Sequence, residues 1–221
     1  MVWNSNWDKI FKKYDWGKYP SENLVRFVGN FFKNKKNNYK TLEIGCGTGA
    51  NIWYLSKEKF KTYGIDGSNE ALKIAKKRMK SESLNANFHC GDILNLPYKN
   101  NYFDLVIDVE CLYSNNLFDT KLILSEINRV LKPKGLFFSQ SFSTKTWGFG
   151  DGISLKNEKL TYTKINRGAL KKENSIIRFL DLKSIKNTYS IFEIINIEKS
   201  SRTINNLENL IEEWIIICRK N

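Results

Sequence analysis

Three glycines spaced two residues apart follow a short apolar segment in the sequence TLEIGCGTGA, residues 41–50. Gly45, Gly47 and Gly49 suit a tight turn, because glycine reaches positive φ without steric cost and lets a ligand approach the backbone. The apolar spacing that follows predicts a helix near 49–58, and the first turn of a helix offers unpaired amides to a carboxylate or a phosphate. The pattern predicts a strand, a turn and a helix that together could bind a nucleotide.

Acidic side chains end several of the apolar segments. Glu43 lies just before the glycines, and Asp66 follows Gly49 by seventeen residues, where an acid can accept both hydroxyls of a ribose. Asp92 and Asp108 lie at or near the ends of two later segments. Because ligands of parallel sheets bind outside the carboxyl ends of the strands, we expect these four acids to converge on one crevice.

The segment EIGCGTG, residues 43–49, resembles the first motif of the class I S-adenosylmethionine-dependent methyltransferases. Further segments resemble the later motifs of that family in the same order: TYGIDGS at 62–68, NFHCGDI at 87–93, YFDLVID at 102–108 and LKPKGLFF at 131–138. The resemblance covers roughly residues 40–140. It implies S-adenosylmethionine as the cofactor.

The resemblance also implies a role for each residue that would bind this cofactor. The backbone of the glycine turn would lie against the methionine part, and Glu43 would bind the ammonium directly or through a water. Asp66 would accept the ribose hydroxyls, Asp92 and Ile93 would flank the adenine, and Asp108 would lie near the ammonium. The implied set is Glu43, Gly45, Cys46, Gly47, Gly49, Asp66, Gly67, Asp92, Ile93 and Asp108.

Few side chains are candidates for a general base. In methyl transfer the cofactor supplies the activated methyl group, so the protein chiefly aligns the reactants, although a hydroxyl acceptor normally needs a base or a metal. Glu110 and Tyr113, just beyond the fourth predicted strand, are best placed to face an acceptor, or else they cap or pack against the next helix. His89, the single histidine, lies inside a predicted strand, which favours a packed core residue over a catalytic one.

Strands and helices alternate from residue 41 to residue 142, as in a parallel sheet covered on both faces. We predict strands near 41–45, 62–66, 87–90, 103–109 and 135–142, and further helices near 69–82 and 119–131. Helical spacing continues over 176–189, late strands are predicted at 191–197 and 214–218, and the polar segment 202–213 is predicted as a loop or short helix. The resemblance implies a Rossmann-like, doubly wound, mostly parallel seven-stranded α/β sheet with an antiparallel C-terminal strand.

Two segments flank this predicted core of a single domain at 40–221. Residues 1–39 read as two helices, the second with Ser21 as its cap, and the family resemblance implies a lid. The aromatic residues of this segment could stack on an adenine, surround a cation, or simply pack against the sheet; they are Trp3, Trp7, Tyr14, Trp16 and Tyr19. Residues 143–177 form the least periodic part, and a long loop inside a compact domain is usually functional or disordered. The resemblance implies that this segment is a substrate-binding insertion.

Composition limits the class of protein. The 221 residues are 41% hydrophobic, which indicates a folded globule, and the net charge is +13 with a pI near 9.5. That charge favours nucleic acid as a partner, but the lysines are spread along the chain, as biased codon usage also produces. Four scattered cysteines and one histidine predict no metal site and suit a reducing cytoplasm. No signal peptide or membrane span is predicted.

These observations predict a metal-free methyltransferase that acts on an oxygen or nitrogen of a small molecule, as a monomer or homodimer. A surface-polysaccharide or secondary-metabolite precursor is the expected acceptor, on resemblance alone. Three alternatives stay open: an RNA methyltransferase, a nicotinamide-dependent oxidoreductase and a non-catalytic relative of the fold. The nicotinamide fingerprint spaces its last two glycines three residues apart, whereas Gly47 and Gly49 are two apart.

Overall fold

The computed structural model describes residues 6–13, 17–33, 39–170 and 175–221. The elements in chain order are α1 (Asn6–Lys13), α2 (Glu22–Phe31), β1 (Lys40–Ile44), α3 (Ala50–Lys57), β2 (Lys61–Asp66), α4 (Asn69–Ser81), β3 (Asn87–Cys90), β4 (Phe103–Val109), a 3₁₀ helix (Leu112–Ser114), α5 (Leu117–Val130), β5 (Leu131–Phe142), β6 (Ile153–Leu155), β7 (Glu158–Thr163), β8 (Ile177–Arg178), α6 (Leu182–Thr188), β9 (Glu193–Ile204) and β10 (Asn209–Arg219).

Seven strands form the main sheet, in the order β3-β2-β1-β4-β5-β10-β9. The strands β1 to β5 run parallel, and β10 pairs antiparallel with both β5 and β9. Strand order reverses between β1 and β4, which is where ligands of doubly wound sheets bind. The predicted Rossmann-like fold with an antiparallel C-terminal strand is confirmed.

Helices cover both faces because successive strand residues point to opposite sides. Leu105 and Ile107 of β4 pack in one apolar cluster with Phe27 of α2, while Val106 packs in another with Ile127 of α5. Sheet residues in both clusters are fully buried. This double cover explains why the strands read as continuous apolar runs.

Two of the predicted elements are wrong. The segment 202–213 is not a loop or short helix but mostly strand, because β9 runs to Ile204 and β10 starts at Asn209. Glu212 and Glu213 are buried in β10, and these two acidic residues made the segment look polar in the sequence. The predicted helix at 176–189 begins only at Leu182, and residues 177–178 form β8.

The insertion at 143–177 carries regular structure in its described part. Strands β6, β7 and β8 form a separate antiparallel sheet. The buried side chains of Ile165 and Ile177 in this insertion pack with Tyr113 and with Phe142 of β5. The strands are short and most residues of β6 and β7 are half-buried, so the alternation that reveals a strand in a sequence is weak here.

None of the helices in the described ranges has the length and the apolar composition that a membrane span requires. The predicted aromatic residues Trp3, Tyr14 and Trp16 lie outside the described residues.

Candidate active site

A cavity of about 370 Å³ opens at the carboxyl edge of strands β1 to β4. One side, here called the cofactor half, consists of the glycine turn together with Asp66, Gly67, Asp92 and Ile93. The other side, the acceptor half, consists of residues 109–111, 113–115 and 175–176. Residues 17 and 19–21, with side chains from α1, also line the cavity.

The glycine turn connects β1 to α3 and needs glycine for two reasons. Gly45 has φ +62°, and a Cβ at this position would lie 2.3 Å from Sγ of Cys111. Gly49 has φ +78° and is the N-cap of α3, where a Cβ would lie 2.9 Å from Cβ of Ala75. Gly47 and Cys46 complete the turn and line the cavity. The turn thus presents bare backbone to a ligand.

Asp66 lies directly beside this turn. Its Oδ2 accepts a hydrogen bond from the Gly47 amide at 2.8 Å, and its Oδ1 accepts one from the Ser68 amide at 2.8 Å. The side chain is buried, and burial raises the pKa of Asp66. Each carboxylate oxygen can accept a second hydrogen bond, so this acid is still able to accept from a ligand hydroxyl.

Glu43 lies beneath the turn with one oxygen available. Its Oε1 accepts from Nδ2 of Asn51 at 2.7 Å, whereas Oε2 is buried without a hydrogen-bond partner among the described residues. Burial chiefly raises the pKa of Glu43 to about 8, and the charges of Asp66 and Asp108 add to the rise. An ammonium group is the ligand that would satisfy Oε2 and restore the charge of Glu43.

Asp92 and Ile93 line the cavity on the loop after β3. Oδ1 of Asp92 accepts from the Leu94 amide at 3.0 Å, which fixes a half-buried carboxylate. Ile93 is buried and packs in the main apolar cluster. The carboxylate of Asp92 and the apolar side chain of Ile93 thus lie next to each other in the cavity lining.

Glu110 is the carboxylate of the acceptor half. It follows β4 with φ +58°, and its Oε1 accepts from Nε2 of Gln140 at 3.3 Å. Gln140 also donates to Oε1 of Glu213 at 2.9 Å and accepts from Oγ of Ser21 at 2.7 Å. Burial, followed by the neighbouring carboxyl of Glu213, raises the pKa of Glu110 to about 8. Tyr113 also lines the cavity, and burial raises its pKa.

The structure places three predicted residues outside the cavity lining: Gly49, which is the N-cap of α3, Asp108 and His89. Asp108 is fully buried beneath it, and its carboxylate accepts from the amides of Cys111 and Leu112 and from Oγ of Ser139. Burial raises the pKa of Asp108 to about 6. Through these hydrogen bonds Asp108 stabilises the turn after β4. His89 is exposed on the edge strand β3, so the expectation of a packed core histidine is wrong.

A family model described as a methyltransferase domain matches residues 35–211, most of the chain. The chain belongs to this methyltransferase family. It is 33% identical over 115 residues to norajmaline N-methyltransferase of Rauvolfia serpentina, a match that covers 51% of this chain and 39% of that enzyme. It is 30% identical over 182 residues to an uncharacterised protein of Methanocaldococcus jannaschii, covering 81% of this chain and 66% of the other.

The fold of this methyltransferase domain is shared with solved structures. A SAM-dependent methyltransferase from Methanosarcina mazei superposes with a TM-score of 0.73 at 21% identity, over 91% of this chain and 98% of the other. Against the first curated relatives, the matches span 35–48% of those proteins' length. The structural likeness, at this identity, describes the fold.

Helix α1 lies over the cofactor half. A Cβ built on Gly47 would lie 3.5 Å from the ring of Phe11, which is itself stacked on Trp7 with centroids 5.9 Å apart. A hydrogen bond between Oγ of Ser68 and the carboxylate of Asp8 ties the helix to the start of α4. Trp7 and Phe11 thus face the cavity, and so does Tyr19 beyond the helix.

Four polar residues of the site were missed by the sequence reasoning: Ser21, Asn51, Gln140 and Glu213. Ser21 precedes α2 as predicted, but its hydroxyl makes no cap bond and donates to Gln140 instead. Its amide donates to Oδ1 of Asn51 at 3.0 Å. Of the four, only Asn51 carried a signal in the sequence, because it is a polar residue two positions after Gly49.

Proposed function

We propose that this protein transfers the methyl group of S-adenosylmethionine to an oxygen or nitrogen of a small molecule. One observation carries the proposal: the glycine turn, Asp66 and Asp92 line the same cavity as Glu110 and Tyr113. A cofactor half and an acceptor half therefore share one enclosed space, as group transfer without release of the methyl group to water requires.

The cofactor half fits S-adenosylmethionine, the cofactor of the methyltransferase family. Asp92 and Ile93 would hold the adenine, Asp66 the ribose hydroxyls, and the glycine turn the methionine part. The unpaired Oε2 of Glu43 would accept from the methionine ammonium. When bound, the cofactor supplies a methyl group activated on a sulfonium sulfur. Because the residues for the ribose and the adenine follow β2 and β3 while Glu110 follows β4, the methyl group would lie toward Glu110.

The residues of the acceptor half would align the acceptor and manage its proton. Glu110 is positioned to accept a proton, because its raised pKa lies near physiological pH. Phe11 and Trp7 would exclude water from above. A small-molecule acceptor is supported by the family match and by the name of the norajmaline relative, an N-methyltransferase. A secondary-metabolite precursor stays our proposal for its class.

Calorimetry with separate cofactors tests the proposal. We expect S-adenosylmethionine and S-adenosylhomocysteine to bind and NADH to give no heat. Protein loaded with tritium-labelled S-adenosylmethionine should then label a small-molecule fraction of a cell extract and leave an RNA fraction unlabelled. Binding of NADH in place of S-adenosylmethionine would refute the proposal, and label confined to RNA would replace the acceptor class.

A further inference from the structure

We infer that the acceptor is a protonated amine, and that Glu110 and Glu213 act as a proton-sharing pair that removes its proton before the methyl group is transferred. The inference rests on the proposed function, since it assigns the acceptor of that reaction. It also assigns a role to Glu213, which lies on β10 and was not among the predicted site residues.

The charge of the cavity opposes the charge of the chain. The protein carries a net charge of +13, yet the described residues that line the cavity include no lysine, arginine or histidine. The carboxyl group that lines the acceptor half is that of Glu110, whereas those of Glu43, Asp66 and Asp92 are assigned to the cofactor. An acceptor with a phosphate or carboxylate would find no cationic partner among the described lining residues, whereas an ammonium would be attracted.

Oε2 of Glu43, the one buried side-chain atom among the described lining residues that lacks a hydrogen-bond partner, is assigned to the methionine ammonium. The acceptor would therefore meet Glu110, whose Oε1 accepts from Gln140. Aromatic rings of Trp7, Phe11 and Tyr19 line the same cavity, and such rings attract cations.

The carboxyl groups of Glu110 and Glu213 both contact one atom, Nε2 of Gln140. Nε2 of Gln140 donates to both, at 3.3 Å to Glu110 and 2.9 Å to Glu213, and Oε1 of Gln140 accepts from Ser21. Gln140 therefore stays oriented with its amide nitrogen toward the acids. Two carboxylates this close cannot both ionise at ordinary cost, so the pair holds one proton between them.

Other charged and titratable groups surround the pair. The charges of Glu213 and Asp108 raise the pKa of Glu110, that of Arg202 on β9 lowers it, and burial makes the largest contribution. Tyr113 faces Glu110 from the 3₁₀ helix. The result is a pKa of about 8 for Glu110. Glu110 thus releases its proton slightly above neutral pH and takes one up below that value.

The chemistry balances without any further reactant. An alkyl ammonium has no lone pair, so it first gives one proton to the ionised pair and becomes a neutral amine. The amine nitrogen then bonds to the methyl carbon while the carbon–sulfur bond breaks, and the electron pair of that bond stays on sulfur. The product is a methylated ammonium, and the proton held by the pair leaves to water. One proton is released in each turnover.

Infrared difference spectra of the S-adenosylhomocysteine complex test the pair without a known acceptor. The wild type should show the carbonyl stretch of a protonated carboxylic acid at pH 7, and this band should disappear as pH rises through about 8. Glu110→Gln should remove the band. Glu213→Gln should move the titration of Glu110 to lower pH, because the neighbouring negative charge is gone.

A set of matched ligands tests the acceptor class in the same complex. The probes are 2-phenylethylamine, 2-phenylethanol and 3-phenylpropanoate, which share a ring and a two-carbon linker. We expect the amine to bind at least tenfold tighter than the other two at pH 9, where Glu110 is ionised, and to lose this advantage in Glu110→Gln. With the amine as substrate, kcat/KM should fall as the pH drops below about 8. In Glu213→Gln this fall should occur at a lower pH.

Each outcome decides a separate claim. If the complex shows no carboxylic acid band that Glu110→Gln removes, the proposal of a proton-sharing pair is wrong. An amine that binds no better than the alcohol and the carboxylate overturns the acceptor class, including the case in which none binds. In both cases intact binding of S-adenosylhomocysteine leaves the proposed function standing. Loss of that binding in the wild type would instead refute the proposed function.

Discussion

The two halves of the cavity hold their acids in different ways. In the cofactor half two carboxylates are fixed by backbone amides, with Asp66 bonded to Gly47 and Ser68 and Asp92 bonded to Leu94, while Glu43 beneath the turn accepts from the side chain of Asn51. In the acceptor half Glu110 is fixed by side chains, those of Gln140 on β5 and Glu213 on β10. A backbone amide is present whatever residue carries it, whereas a side-chain partner changes with a single substitution.

This difference teaches how one fold can serve many acceptors. The cofactor half depends on chain geometry, so substitutions elsewhere leave its donors in place. The acceptor half depends on residue types at separate strands, each of which can change without disturbing the glycine turn. Function on a common fold varies in this way, through sites formed by variable side chains.

The largest expected effect comes from a position that separates the two halves. Gly45→Ala would place a Cβ at 2.3 Å from Sγ of Cys111, at φ +62°, so the glycine turn and the turn after β4 must move apart. We expect the free energy of unfolding to fall by about 3–5 kcal/mol, and cofactor binding to be lost. Thermal and urea unfolding, with calorimetry of S-adenosylhomocysteine, would measure this.

Gly150→Ala is the matched control for the glycine substitution. Gly150 has φ +83°, but a Cβ there meets no atom within 4 Å. The control therefore carries only the backbone cost, about 1–2 kcal/mol. Equal losses in the two variants would show that contact with Cys111 does not couple the halves.

The second effect is confined to the cofactor half. Asp66→Ala removes the acceptor expected for the ribose hydroxyls, and binding of S-adenosylhomocysteine should weaken by about 1.5–3 kcal/mol. Titration calorimetry on the folded variant measures the loss. Asp104→Ala is the control, since Asp104 begins β4 and accepts from Lys132 and from the Lys40 amide. Unchanged affinity in Asp66→Ala would contradict the assignment of the ribose hydroxyls to Asp66.

The cofactor half was also the predictable half, for a physical reason. Its residues follow one another within short segments, because a strand end, a tight turn and a helix start are local structures. Gly45, Gly47 and Asp66 could therefore be recognised in the sequence and were found on one cavity. Asp108 is the exception, since only the packed structure reveals that its oxygens are occupied by the next turn and by Ser139.

The acceptor half could be predicted only in part. Glu110 and Tyr113 follow a recognisable strand, so their place at the strand end was foreseeable. Their partner Glu213 could not be found, because its pairing depends on a reversed strand brought beside β5. A carboxyl group in the middle of a buried strand also reads as loop when seen in sequence alone.

A third effect distinguishes the buried acids by their protonation. The pKa of Glu43 rises from its ordinary value of 4.5 to about 8, so the folded state binds more protons than the unfolded state between these values. The free energy of unfolding of the cofactor-free protein should therefore fall as pH rises from about 4.5 to about 8. Glu43→Gln should remove this part of the slope and be more stable than wild type at pH 8.5, by roughly 1–2 kcal/mol.

Urea unfolding across this pH range measures the difference between the two proteins. Glu208→Gln serves as the control, since Glu208 is exposed in the turn between β9 and β10 and lies outside the cavity lining. It should follow the wild-type curve. A Glu43→Gln variant with an unchanged slope would mean that Glu43 is ionised in the cofactor-free protein, and would leave its Oε2 without the role given to it here.

The smallest effect concerns the cover that α1 forms over the cofactor half. Phe11 faces Gly47 and is buried at 7% exposure, so Phe11→Ala should weaken S-adenosylhomocysteine binding by about 0.5–1.5 kcal/mol through lost ring contact. Phe118→Ala is the control, because that ring on α5 is 70% exposed and lies outside the cavity lining. Calorimetry of both variants against wild type measures the loss. If α1 merely packs on the fold, Phe11→Ala will lower the unfolding temperature while the affinity for the cofactor product stays at the wild-type value, and the backbone amides and acids of the cofactor half would then suffice for binding without a cover.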